Sequence, residues 1–200
     1  MTTQRQLLLA IFLCPLSCAG DLDAELGGDA VEPPAEGRVG PHTTNAPRAA
    51  GGQLSTFDAS DEALWVYFDL ETGTELEVED PAQDLRWDLA FRRFHIATNG
   101  GVSGSAGSEV ALLPEPFDQV TAAPNTGFAV DEPDGEDDNE DPDYVFRDWY
   151  DYNFMTHVLT PRAQTYVLVT GSGNPFKVSL EHYYDEAGTS GFPAVAWAAL

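Results

Sequence analysis

Two side chains that can coordinate iron lie close together in the last third of the sequence: the thioether of Met155 and the imidazole of His157. In an extended segment, residues two apart share one face. Where a metal takes two ligands from opposite sides, at most one of the pair is therefore expected to serve. The alternative is that His157 is a hydrogen-bonded histidine and that Met155 fills the core. Aromatic residues precede the pair, at Trp149, Tyr150, Tyr152 and Phe154.

Other histidines offer further candidates. His95 lies in a segment rich in aromatic and arginine residues, where an imidazole can bind a metal or pair with an acidic side chain of a neighbouring strand. His182 precedes two tyrosines and is expected to point outward. The candidates for binding a cofactor are therefore His157, Met155 and His95.

A run of acidic residues at 131–143 holds nine carboxylates in thirteen positions. Calcium takes about six to eight oxygen ligands, so Asp134, Asp137 and Asp138 are candidate calcium ligands. Their spacing departs from an EF-hand loop, in which acidic residues alternate and a glycine takes the sixth place. The alternative is a solvated acidic insertion that binds no ion.

Residues 87–96, which include His95, have the pattern of a β-strand. Large side chains occupy both alternating sets of positions, which predicts a strand inside a sheet that is covered on both sides. Asn99 and Gly100 follow and predict a type I′ hairpin turn, because glycine tolerates positive φ.

Short apolar runs separated by turn signals continue to the end of the chain. Residues 64–68 and 166–170 are strongly predicted strands, and the second begins a three-stranded meander that closes at residue 200. Helical periodicity over ten or more positions is missing after residue 54. The pattern predicts an all-β, antiparallel domain over residues 54–200, with short helical turns at most.

The run from Trp87 to Gly104, with its Trp-Asp-Leu-Ala-Phe start and its Asn-Gly-Gly turn, resembles the signature of the HmuY-like family of haem-binding bacterial surface lipoproteins. The ending is similar as well, with paired tyrosines and a closing strand that holds Trp197. The resemblance covers roughly residues 64–200. It implies an all-β haem-binding module on the outer membrane, with axial ligands that vary between His and Met. Haem is then the expected cofactor.

The N-terminal residues predict export. Arg5 precedes an apolar run at residues 7–16 that is too short to cross a bilayer, which is typical of a signal peptide over residues 1–17. Cleavage after Ser17 would leave Cys18 as the first residue, so Cys18 is the lipidation candidate. Residues 18–53 are rich in Gly, Pro, Ala and acidic residues, and they predict a disordered tether.

A formal net charge of −25 argues against a nucleic acid partner, because the chain repels phosphates and anionic lipid head groups. Membrane contact is accordingly expected only through the lipid anchor. The sequence has no nucleophile elbow, no HExxH motif and no phosphate-binding loop, and both cysteines lie at or before residue 18. We therefore predict that the protein is not an enzyme.

Two functional hypotheses follow. The first is an exported protein, an outer-membrane lipoprotein or a protein of the extracellular surface, that captures or relays haem. Its partners would be haem and an outer-membrane receptor or a haem-carrying protein. The second is a surface interaction module on the same fold that holds no haem and is stabilised by calcium through the acidic loop.

Overall fold

The computed structural model describes residues 36–135 and 141–200. Within them, the chain forms strands of 2 to 10 residues and a 3-10 helix at Phe117–Gln119. The strands before that helix are β1 Gly37–Arg38, β2 Thr43–Pro47, β3 Gln53–Phe57, β4 Val66–Asp69, β5 Thr74–Leu76, β6 Leu89–Arg92, β7 His95–Thr98 and β8 Glu109–Leu113. Those after it are β9 Phe128–Ala129, β10 Tyr150–Asn153, β11 Val158–Pro161, β12 Thr165–Val169, β13 Pro175–Tyr184 and β14 Ser190–Ala199.

The strands form three antiparallel sheets. The large sheet has the order β1-β2-β3-β14-β13-β12-β8-β9, and the small sheet has the order β5-β4-β6-β7. Strands β10 and β11 form a separate two-stranded hairpin. The all-β, antiparallel prediction is confirmed, including the closing meander β12-β13-β14. No helix among the described residues is long and apolar enough to cross a membrane.

The core lies between the large and the small sheet. Alternation along the strands directs one side of each sheet inward, as in β3, where Gln53, Ser55 and Phe57 are buried. Phe57 of the large sheet stacks on Phe91 of the small sheet, with ring centroids 4.0 Å apart. Phe68 meets Trp197 edge to face at 5.8 Å. These rings anchor the two sheets to each other.

The folded domain begins earlier than predicted. Strand β2 pairs with β3 over its whole length, so the tether boundary predicted at residue 53 is wrong. Asn45 is buried on β2, where its amide donates to the Gly73 carbonyl (2.7 Å) and accepts from the Ser55 hydroxyl (2.7 Å). The Ser55 hydroxyl in turn accepts from the Trp197 indole (2.7 Å). A strand that buries polar side chains carries no apolar pattern, which explains the error. The predicted signal peptide and Cys18 lie outside the described residues.

The predicted strand at residues 87–96 is two strands. Strand β6 ends at Arg92 and β7 starts at His95, directly opposite it, so Arg93 and Phe94 make the turn. Arg93 adopts a left-handed conformation with φ 54°. Its backbone N–H donates to the Ala59 carbonyl (2.8 Å), and its guanidinium donates to the Ser60 carbonyl (2.9 Å). These contacts with a distant segment hold a turn that the local sequence does not announce.

The turn predicted at Asn99 and Gly100 also differs from a type I′ turn. Asn99 is fully buried, and its amide donates to the carbonyls of Trp87 (2.8 Å) and Asp84 (2.9 Å). The positive φ belongs to Gly101 instead (61°). The Asn-Gly-Gly motif therefore fixes the loop before β6 against the end of β7 rather than making a tight hairpin.

Candidate functional site

The β10–β11 hairpin carries both Met155 and His157 in its four-residue loop. Asn153 and Val158 form the last pair of the ladder. The Asn153 side-chain oxygen accepts from the backbone N–H groups of Met155 (2.9 Å) and Thr156 (3.2 Å), and its carbonyl accepts from the N–H of His157 (2.7 Å). Asn153, the last residue of β10, thus closes the loop that follows it, as asparagine side chains commonly do in turns.

The loop presents large apolar side chains to solvent. Met155 is 90% exposed and Phe154 is 81% exposed, and Tyr152 and Val158 beside them are also exposed. The alternative that Met155 fills the core is therefore wrong. Apolar side chains grouped at one exposed place are typical of a binding surface, since scattered single ones are the normal case. We call residues 152–158 the hairpin tip.

His157 is held in a defined position within the tip. Its φ of 58° lies in the left-handed region, which histidine adopts more readily than most residues but still at a cost. The Tyr152 hydroxyl is hydrogen-bonded to its Nδ1. In the tautomer in which Nδ1 donates to Tyr152, Nε2 keeps its lone pair and is available to a metal. The tip therefore offers an oriented imidazole beside an exposed thioether.

His95 has a different environment, at the start of β7. Its Nε2 lies 3.6 Å from an Asp141 carboxylate oxygen, and its ring packs on Phe94 with centroids 4.2 Å apart. Burial lowers the pKa of His95, partly opposed by Asp141, so the imidazole is mainly neutral at pH 7. The adjoining cleft has a volume of about 180 Å³. This is below the usual range for small-molecule sites.

The structure does not bring the two histidine regions together. Phe94, next to His95, contacts Tyr150 at the base of the hairpin, with ring centroids 6.2 Å apart. The tip begins two residues further along β10, which is about 7 Å in an extended strand, and Met155 and His157 lie beyond that point in the loop. Met155 and His157 are therefore grouped, and His95 is separate from them.

The acidic run is anchored at its ends. Buried Asp131 accepts from the backbone N–H groups of Thr98 (2.8 Å) and Val145 (2.9 Å), and burial raises its pKa. Glu132 and Asp143 form an isolated antiparallel bridge. Asp134 is exposed, whereas Asp137 and Asp138 lie outside the described residues. No group of three or more metal-ligating side chains occurs in the described part of the chain, and two of the three predicted calcium ligands lie outside that part.

The sequence does not predict a second concave region, which is larger than the cleft beside His95. A cleft of about 680 Å³ opens on the outer side of the small sheet. Trp65 and Tyr67 line it from strand β4 and the residue before it, because they alternate with the core residues Val66 and Phe68. His42 lines it from the segment before β2, a residue that the predicted tether removed from the list of candidates. We call this the β4–β5 cleft; its further lining is Pro41, Ala63, Leu64, Glu75, Leu76, Glu77, Val78, Glu79 and Pro81.

Comparison with known proteins identifies the fold. The model of the HmuY protein family matches residues 61–197. No curated protein matches the chain. Among solved structures, the apo HmuY analogue from Tannerella forsythia has a TM-score of 0.57 at 17% identity, over 78% of this chain and 95% of that one.

Two further structures show the same fold. A candidate HmuY-like haem-binding protein from Bacteroides vulgatus has a TM-score of 0.55 at 16% identity, over 78% of this chain and 96% of that one. A candidate lipoprotein from Bacteroides fragilis has a TM-score of 0.54 at 19% identity, over 78% of this chain and 95% of that one. At these identities the likeness concerns the architecture and leaves the ligand to be argued from the residues.

Proposed function

Because the chain belongs to the HmuY family, we propose that it is a haem-binding protein that holds haem at the hairpin tip. The observation that carries the choice of place is the exposure of Met155 and Phe154 beside an oriented His157. A haem-binding site requires an axial ligand and an apolar surface for the macrocycle. The tip provides both from one short loop.

The residues fit haem in their chemistry. The imidazole of His157 or the thioether of Met155 would supply an axial ligand, and Phe154 and Tyr152 would cover apolar surface of the macrocycle. Bound haem supplies the iron, which the protein carries rather than uses in a reaction. His95 is left out of this proposal, because it is half-buried and faces Asp141. We accordingly propose a binding role rather than a catalytic one.

The proposed location rests on the sequence. A signal peptide over residues 1–17 and lipidation at Cys18 would place the domain on the cell surface, attached to the outer membrane by a tether. A surface position would allow the protein to receive haem from a haem-carrying protein and to pass it to an outer-membrane receptor.

The decisive experiment is a titration of the purified protein with haemin, followed by the Soret band. We expect a saturable change at micromolar haemin, because the proposed site supplies an axial ligand. His157→Ala and Met155→Ala identify that ligand, and His182→Ala is the matched control on an exposed position of β13. The chain has two methionines, Met1 and Met155, so a thioether signature would come from Met155 if Met1 leaves with the signal peptide.

The opposite result would be just as clear. If the folded protein gives no saturable band, or if the double variant His157→Ala/Met155→Ala binds haemin as well as the unmodified chain, the tip is not the haem site. A folded protein that binds no haemin at all would favour the second function, a surface interaction module. The exposed Phe154 and Met155 would then be the contact surface for a protein partner.

A further inference from the structure

We propose that the β4–β5 cleft is a second ligand site, which binds organic cations: molecules with an apolar body and an amine or quaternary ammonium group. This inference is independent of the haem proposal, since no residue of the hairpin tip lines the cleft. Its volume of about 680 Å³ lies within the usual range of small-molecule sites.

The first argument is the aromatic lining. Trp65 and Tyr67 are partly exposed in the cleft, with Leu76 and Val78 beside them. Tyr67 packs edge to face on Trp87 at 5.2 Å, which fixes its ring from behind. Aromatic faces attract cations and also bury apolar groups, so such a surface suits a ligand with both properties.

Trp65 already accepts one cation. The Arg92 guanidinium lies 4.6 Å from its ring centroid and is paired with Asp141 (3.1 Å). Arg92 does not line the cleft, so its charge interacts with Asp141 and Trp65 within the domain. The contact shows that this ring makes a cation–π interaction within the fold.

The second argument is charge. Glu75, Glu77 and Glu79 line the cleft, and no lysine or arginine is among its lining residues. Carboxylates beside aromatic rings in a concave surface concentrate negative potential and select cations. The same charges repel the propionates of haem, which separates this cleft from the haem site proposed at the tip.

The third argument is that the acidic wall is positioned. Oε2 of Glu75 accepts from the backbone N–H of His42 (2.8 Å) and from the hydroxyl of Thr43 (2.8 Å). Gly40 lies against this side chain so closely that a Cβ there would fall 2.3 Å from the Cβ of Glu75. The segment before β2 therefore builds one wall of the cleft, and glycine is required for the approach.

The chain carries its own reporter for the test. Of the four tryptophans, Trp87, Trp149 and Trp197 are 1%, 1% and 2% exposed, so Trp65 is the accessible one. Three probes with the same benzyl group and different charge serve as ligands: benzyltrimethylammonium, benzyl alcohol and benzylsulfonate. Each is titrated into the full chain while tryptophan emission is followed, and calorimetry measures the affinity independently.

We expect saturable binding of benzyltrimethylammonium, at least roughly fivefold weaker binding of the alcohol, and no binding of the sulfonate. The double variant Glu77→Gln/Glu79→Gln should lose the preference for the cation. The control Glu109→Gln/Glu186→Gln removes two exposed glutamates elsewhere and should keep it. Trp65→Phe should abolish the emission change while calorimetry still detects binding.

The proposal is overturned by any of three results: no saturable binding of the ammonium probe, equal affinity for all three probes, or an emission change that persists in Trp65→Phe. His157→Ala is expected to bind the ammonium probe as the unmodified chain does. Loss of haemin binding in that variant would therefore concern the tip alone and leave the cleft unaffected.

Discussion

The hairpin tip and the β4–β5 cleft use the same kinds of residues in opposite ways. At the tip, apolar side chains project from a four-residue loop, and the local fold depends on hydrogen bonds within residues 152–157. In the cleft, the aromatic residues lie on a sheet whose other side is the core. The comparison teaches that residues of a ligand surface can lie outside the core and add little to stability, as at the tip. They can also lie directly on the packed core, as in the cleft.

The largest expected effect is on stability, from the residue behind the cleft. Trp87 is buried, packs on Tyr67 and donates its indole N–H to the Pro81 carbonyl (3.1 Å). Trp87→Ala should lower the free energy of unfolding by about 3–5 kcal/mol, because it leaves a large cavity. Phe154→Ala at the tip should change it by about 0.5 kcal/mol or less. Urea unfolding of the two variants measures the contrast, and equal losses would contradict it.

The free energy of unfolding should also depend on pH, through the buried carboxyl of Asp88 rather than through a residue of the tip. Burial raises the pKa of Asp88 to about 7 from 3.8, although its carboxylate accepts from the Leu70 N–H (2.9 Å). Between about pH 4 and pH 7, the Asp88 carboxyl is therefore protonated in the folded state and ionised in the unfolded state. The free energy of unfolding should fall as pH rises through this window, by up to about 4 kcal/mol. Asp88→Asn should remove most of this slope in urea unfolding at pH 5 and pH 8, and an unchanged slope would exclude Asp88 as its source.

The buried amide of β2 tests how strongly the N-terminal strands belong to the domain. Asn45→Ala leaves the Gly73 carbonyl and the Ser55 hydroxyl without this partner. The expected loss is about 2 kcal/mol, since buried polar groups that lose a partner keep their desolvation cost. Thr44→Ala, at an exposed position of the same strand, is the control for β-propensity. Equal effects of the two variants would mean that β2 adds little to the packing.

The smallest effect concerns the tip. Tyr152→Phe removes the hydroxyl that is hydrogen-bonded to Nδ1 of His157 and keeps the ring. Haem affinity should fall by about tenfold, as for other partners that orient a ligating histidine, while stability stays within about 0.5 kcal/mol. Haemin titration of Tyr152→Phe measures this, with Tyr67→Phe on the small sheet as the control. An unchanged affinity would indicate that Met155, or no residue of the tip, is the ligand.

How much the sequence predicts differs between elements for physical reasons. The meander β12-β13-β14 is predictable because apolar alternation and glycine turns are local signals. The turn at Arg93 and Phe94 is not, because contacts with Ala59 and Ser60 hold it, and these residues lie more than thirty positions away.

The two candidate sites also differ in how far the sequence predicts them, because only one of them depends on residues that are close together in the chain. Met155 and His157 can be named from residue type alone, but their exposure depends on where the fold places the β10–β11 loop. The sequence does not predict the β4–β5 cleft. One of its walls belongs to a segment whose buried residues are polar and whose composition predicts a tether. The alternation of Trp65 and Tyr67 with Val66 and Phe68 was the one signal that pointed to it.

The pairing of β3 with β14 has a consequence for how the molecule is made. Thr56 lies opposite Ala194, so the middle of the large sheet joins residues almost 140 positions apart. Strand β3 cannot pair with β14 until nearly the whole chain is available, and pairings of such separation are slow to form. The large sheet should therefore stay incomplete while its last strand is still being synthesised, and the chain should refold from urea on a timescale of milliseconds to seconds.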